Sequence, residues 1–165
     1  MSPRPRSVLA RQLARHERTR VAQRVLARRK PVVLVAAAFG APSTCALSRG
    51  SALARAFGAR MLVVHVVETD SARSRFSSVR AELEERRHLA RAQLEALCRG
   101  LDIPRSAELV VRDGRFVTAV LDVAFVQAPV LVVVGTAPAR AVPERLLRDV
   151  ECPLWVARPP RSSDA

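Results

Sequence analysis

The sequence has no tyrosine, one tryptophan and five phenylalanines among its 165 residues, so its interior must be built from Val, Leu and Ala. Glycine is scarce too: there are six, and none follows Gly135. That shortage bears on "LVVVGTAPARAVPERLLRDVECPLWVA" (131–157), where a strand ends in Gly-Thr and opens toward a helix. Loops of that kind bind phosphate when successive glycines turn backbone N–H groups inward, and here the glycines run out after the first. Lysine is nearly absent, with Lys30 alone beside a large excess of arginine, a bias that says little about function. The three cysteines, Cys45, Cys98 and Cys152, form no CxxC or Cys/His pair at metal-ligand spacing. Their odd number argues against a disulfide framework and favours a reducing, cytoplasmic setting. Arg28 and Arg29 precede an apolar run as in a twin-arginine export signal, but that run is needed as the first strand described below.

What is present is basic charge, unevenly placed. The formal net charge is +13, and residues 1–30 hold nine Arg and Lys30 against Glu17, a surplus of +9 that leaves +4 for residues 31–165. The body is therefore mildly basic, and any nucleic-acid or anionic-lipid affinity belongs to the arm of residues 1–30. The arm is helix-permissive, but Leu9, Leu13 and Ala14 do not line up with Val25 and Leu26. A solvated extension, a partner-docking helix and a phosphate-seeking arm all fit it. Lacking aromatics, it would bind nucleic acid without base stacking and with steep salt dependence.

From residue 31 short apolar runs alternate with stretches of helical period, the signature of βαβ units and a parallel sheet in one domain. Val32–Ala38, 59–68, 107–114, 130–135 and 153–157 read as five strands. Between them, Ser43 is placed to cap a helix carrying Leu47, Gly50, Ala54 and Phe57, with Gly58 to end it. Residues 69–78 read as a loop before a long helix over Val79–Arg99, striped by Val79, Leu83, Ala90, Leu94 and Leu97 and ended by Gly100. Glu82 with Arg86, Glu84 with His88 and Glu95 with Arg99 are spaced for i,i+4 pairs. The next helix turns Val117, Val120, Leu121 and Ala124 inward, and a short one starts near Pro143. Residues 159–165 read as a disordered tail.

Taken together, the Gly-Ala-Arg turn into "LVVHVVE", the "VVRDG" strand end, "APVLVVVG" and the closing "CPLWVAR" resemble the universal stress protein family over residues 31–158. The resemblance implies an α/β fold of the adenine-nucleotide alpha-hydrolase type, a five-stranded parallel sheet of order 3-2-1-4-5 with helices on both faces. It also implies homodimers formed through the last strand, here Leu154, Trp155 and Val156. Many members bind ATP through an Asp ending strand one and a loop reading Gly, two residues, Gly, nine residues, Gly-Ser or Gly-Thr. In this chain Ala38 stands at the Asp position, Gly135 matches the first glycine, Pro138 takes the second, and Arg140-Ala141 stand where the last pair would be, with about eight residues missing. Ala38, Gly135 and Thr136 would then mark a remnant pocket without a phosphate cradle, and no cofactor is expected. A nucleotide switch with a rearranged pocket is the alternative.

No catalytic set emerges. His65 reads as a satisfied strand histidine, His88 as a solvated helix residue, and Ser43 and Ser51 lack a G-x-S-x-G elbow. Asp113 before Gly114 reads as a cap for the following helix, and the cysteines as packed small hydrophobes. The expectation is a binding or regulatory module with a homodimeric or unidentified protein partner.

Overall fold

A computed structural model of the chain describes residues 30–69, 77–137 and 141–159. The readings made for the arm, for the loop before the long helix, for Pro138 and Arg140 and for the tail fall on residues 1–29, 70–76, 138–140 and 160–165, outside the described residues.

The elements alternate throughout. Strand β1 (Val32–Ala37) is followed by helix α1 (Ala41–Ala56), β2 (Arg60–Glu68), α2 (Ser77–Gly100), β3 (Glu108–Gly114), α3 (Phe116–Gln127), β4 (Leu131–Gly135), α4 (Glu144–Asp149) and β5 (Leu154–Ala157). The five strands form one sheet of order β3-β2-β1-β4-β5, all parallel, as expected. β1 lies at its centre, and all six of its residues are buried. That is why it reads as an unbroken Val/Leu/Ala run: both faces are covered, so no position alternates to solvent.

Strand alternation sorts the core into two faces. Val33, Val35, Val63 and Val133 pack with Leu47 of α1 and Leu94 of α2, while Leu34, Leu62, Val64 and Val132 pack with Val120 of α3 and Leu146 of α4. Each fully buried Val or Leu contributes about 1.5–3 kcal/mol of transfer free energy, so these two layers dominate the stability.

Several local expectations are corrected. Ser43 does not cap α1: the helix starts at Ala41, with Gly40 at the N-cap position and Pro42 in the first turn, where a missing N–H costs nothing. The serine is buried inside the helix, and its Oγ accepts the Ala38 N–H at 2.8 Å. Phe57 is 54% exposed, because it follows the last helical residue and leaves the inward stripe. Gly58, at φ +59°, does end the helix as read. α2 runs through Gly100, and the left-handed residue after it is Asp102 at φ 55°. On its surface Glu84 pairs with Arg87 and Glu95 with Arg91, rather than with His88 and Arg99, since long arginine side chains reach whichever carboxylate is nearer. Arg87 also takes Asp113 at the end of β3, so this aspartate does not cap α3, whose N-cap position is Arg115. That hydrogen bond to Asp113 is the main cause holding the Arg87 guanidinium above its usual pKa.

One contact explains a glycine inside a helix. A Cβ on Gly50 would stand 2.3 Å from Cγ2 of Val35, so α1 lies on β1 as closely as an absent side chain permits.

Candidate functional site

In an open parallel sheet, ligands bind beyond the carboxyl ends of the strands where the connection order reverses. In this sheet that point lies between β1 and β4, and a cleft of about 820 Å³ opens there. Ala38, Gly135 and Thr136 all line it, so the three residues of the expected remnant pocket do come together. Leu154, Trp155 and Val156 lie elsewhere, on the edge strand β5.

The floor is built from strand ends against the first turn of α1. A Cβ on Gly135 would stand 2.2 Å from the carbonyl oxygen of Pro42 and 3.1 Å from the Ser43 nitrogen. Glycine is required here by the approach of helix to strand, whether or not a phosphate is ever bound. The Pro42 carbonyl also lines the space a side chain would need, so nothing larger fits.

Six backbone donors around this floor are committed to the protein. The Ala38 N–H goes to Ser43 Oγ, and the Thr136 N–H goes to the Ala157 carbonyl at 3.1 Å. The Ser43 and Thr44 N–H groups both go to the Gly40 carbonyl, and those of Leu146 and Leu147 to Pro143. A phosphate cradle needs several such N–H groups aimed at one point and unspent. These six donors are not free to meet a phosphate. Thr136 is buried, and its hydroxyl donates to the Ala137 carbonyl at 3.3 Å.

Sequence reasoning missed the walls. Phe39, 45% exposed, and Phe116 are both among the lining residues, with Val142 and Leu146 from the α4 side. Phe39 is backed by His65, the ring centroids being 4.5 Å apart with the planes inclined at 44°. His65 is buried, and its Nδ1 lies 2.9 Å from the Ala37 carbonyl, which accepts the ring N–H; the histidine is satisfied, as expected. The polar lining consists of Glu68, Arg115, Thr118 and Arg145 beside Ser43 and Thr136. Arg145 Nε lies 3.4 Å from Asp149, whose carboxyl is held below its usual range chiefly by the hydrogen bond from Arg148. No single-residue pattern in the sequence marks these positions, because the topology alone brings them to one end of the sheet.

The thiols do not join the cleft. Cys98 is buried in the first core layer, and burial pushes its pKa up; burial does the same at Cys152, against a smaller opposing hydrogen bond from the Val132 backbone. Cys45 Sγ donates to the Arg158 carbonyl at 3.3 Å. Among the described residues no three His, Cys, Asp or Glu side chains gather as metal ligands, and no helix is long and apolar enough to cross a membrane.

With this geometry in view, the comparisons with known proteins are direct. The family model described as "Universal stress protein family" matches residues 31–158, and the chain belongs to that family. The fold is shared with the universal stress protein UspA from Lactobacillus plantarum, at TM-score 0.62 and 18% identity over 79% of this chain and 99% of that one. A universal stress protein family member from Burkholderia pseudomallei aligns at TM-score 0.55 and 23% identity, over 77% and 95% of the two chains. A universal stress protein solved in complex with cAMP aligns at TM-score 0.53 and 16% identity, over 78% and 97%. No curated protein matches the chain in sequence.

Proposed function

We infer that this protein is a dimeric binding or regulatory module of the universal stress type that does not use ATP. The observation that carries this reading is the set of committed backbone N–H groups around Ala38, Gly135 and Thr136. Gly135 serves the contact with Pro42, Ala38 stands where the ATP-binding pattern calls for an aspartate, and Pro143 at the start of α4 has no N–H to give. Among the described residues the polar side chains lining the cleft are Ser43, Glu68, Arg115, Thr118, Thr136 and Arg145, a set in which we see no nucleophile–base pair, so we assign binding rather than turnover.

We assign self-association to β5. Among the described residues this strand pairs only with β4, which leaves its outer edge open there, and Trp155 beside that edge is 48% exposed. An open edge with an exposed indole is a surface that proteins cover, and a second copy covers it with the same strand. A cytoplasmic setting suits three unpaired thiols.

The test is to denature the purified protein, identify the released small molecules by mass spectrometry, and titrate the intact protein with Mg-ATP calorimetrically. No nucleotide and no heat at millimolar ATP is the expected result. Near-stoichiometric ATP or AMP would establish instead the nucleotide switch with a rearranged pocket, a reading kept in view by the cAMP complex of the structural relative.

A further inference from the structure

We propose that the cleft between β1 and β4 binds a small apolar carboxylate, its hydrocarbon body against Phe39, Phe116 and Val142 and its head group on Arg145. The proposal rests on the reading that the phosphate cradle is gone, and it assigns what takes the vacated space.

The volume, about 820 Å³, falls within the roughly 300–1,000 Å³ of small-molecule sites. Such sites pair an apolar lining with a few polar groups that fix orientation. Here the lining brings two phenylalanine rings to one cleft in a chain that has only five phenylalanines in all. Phe39 stays 45% exposed although it is held in place against the buried His65, so a positioned aromatic face is left open to a ligand. With those six backbone donors spent, the lining arginines are the cationic groups that can meet an anionic head.

Charge then chooses among them. The lining holds Glu68, Arg115 and Arg145. Glu68 pairs in register with Gly114, the residue before Arg115, so these two opposite charges lie at the same end of the cleft and offset each other toward a ligand. Arg145 lies at the other end, on α4, and its hold on Asp149 is a 3.4 Å contact to a carboxylate already taken by Arg148 at 2.8 Å. Two arginines on one carboxylate leave a surplus of one positive charge at this end, and Arg145 is the one of the two that lines the cleft, which suits one carboxylate rather than a di- or triphosphate.

The probes are decanoate and 3-phenylpropionate, titrated calorimetrically into the full-length protein, with decanol as the uncharged control and Mg-ATP in a parallel series. One carboxylate per chain is expected to bind saturably, with decanol at least about tenfold weaker. The arm that saturates tells an acyl chain from an aryl ring. Arg145→Gln should weaken binding about tenfold, and Arg115→Gln should change it far less. Ala38→Phe, at an exposed position of the cleft, should abolish binding, with circular dichroism confirming an unchanged fold. Absence of binding by both carboxylates while ATP is also silent overturns this proposal alone. Binding that survives both Arg145→Gln and Ala38→Phe overturns it as well. Saturation by Mg-ATP overturns the underlying reading, and this proposal with it.

Discussion

Two glycines occupy positions where a methyl group cannot, and they differ in what stands in the way. Opposite Gly135 it is backbone, the Pro42 carbonyl at 2.2 Å from the would-be Cβ; opposite Gly50 it is a side-chain methyl of Val35 at 2.3 Å. Backbone within a helix turn moves only with the helix, whereas a methyl can be deleted. Gly135→Ala is therefore expected to destabilise the protein by about 1–3 kcal/mol in urea titrations. Gly50→Ala should cost a similar amount, partly recovered in the double variant Gly50→Ala/Val35→Ala, where the two effects couple. A Gly135→Ala variant as stable as the wild type would mean that α1 can slide, and that the strand end is looser than described.

At the scale of elements, β5 carries the sharpest expectation. Leu154 and Val156 are partly buried against the α3/α4 layer, while Trp155 is left exposed. A charge at Val156 would disturb the core as well as the edge, so Trp155→Glu is the cleaner change. It should convert dimers to monomers in light scattering without lowering the melting temperature of the folded chain appreciably; a dimer of unchanged size would move the contact away from β5. The elements themselves were largely legible, and the reason is physical. Strands buried on both faces must be apolar at nearly every position, and β1, β2 and β4 write that in Val, Leu and Ala, the buried and hydrogen-bonded His65 being the exception in β2. Helix starts were less legible: Ser43 has the residue type of a cap, yet Gly40 and Pro42 set the start three residues earlier and leave its hydroxyl to Ala38 just past β1. Arginine pairings could not be read from spacing, because Arg87 reaches along its own helix and across to Asp113. The site was legible only in part. Ala38, Gly135 and Thr136 were found through the loop pattern, while Phe39, Phe116 and Arg145 meet through the crossover topology and carry no local mark.

For the whole molecule, charge is the organising fact. Residues 1–30 carry a surplus of +9 and the remaining residues only +4, while every described helix and strand lies within 32–157. A variant beginning at Pro31 is expected to melt within about 3 °C of the full chain, since surface changes rarely exceed about 0.5 kcal/mol. The same variant should leave a heparin column at markedly lower salt, because fewer counterions are displaced on binding. A large loss of melting temperature would assign residues 1–30 a part in the core, and unchanged retention would assign anion affinity to the body.

The contact between Gly135 and Pro42 separates the seating of the sheet from the content of the loop that follows. With the strand end locked by the helix beneath it, Gly135 keeps its seat whatever follows, so a longer segment between Thr136 and Val142 should leave the strand end in place, and each doubling of such a span costs only about 0.6 kcal/mol in closure entropy. The fold is in this respect a socket for exchangeable loops. A longer glycine-bearing segment grafted between those two residues should be accepted by the scaffold, making this chain a starting point for installing a ligand preference of choice.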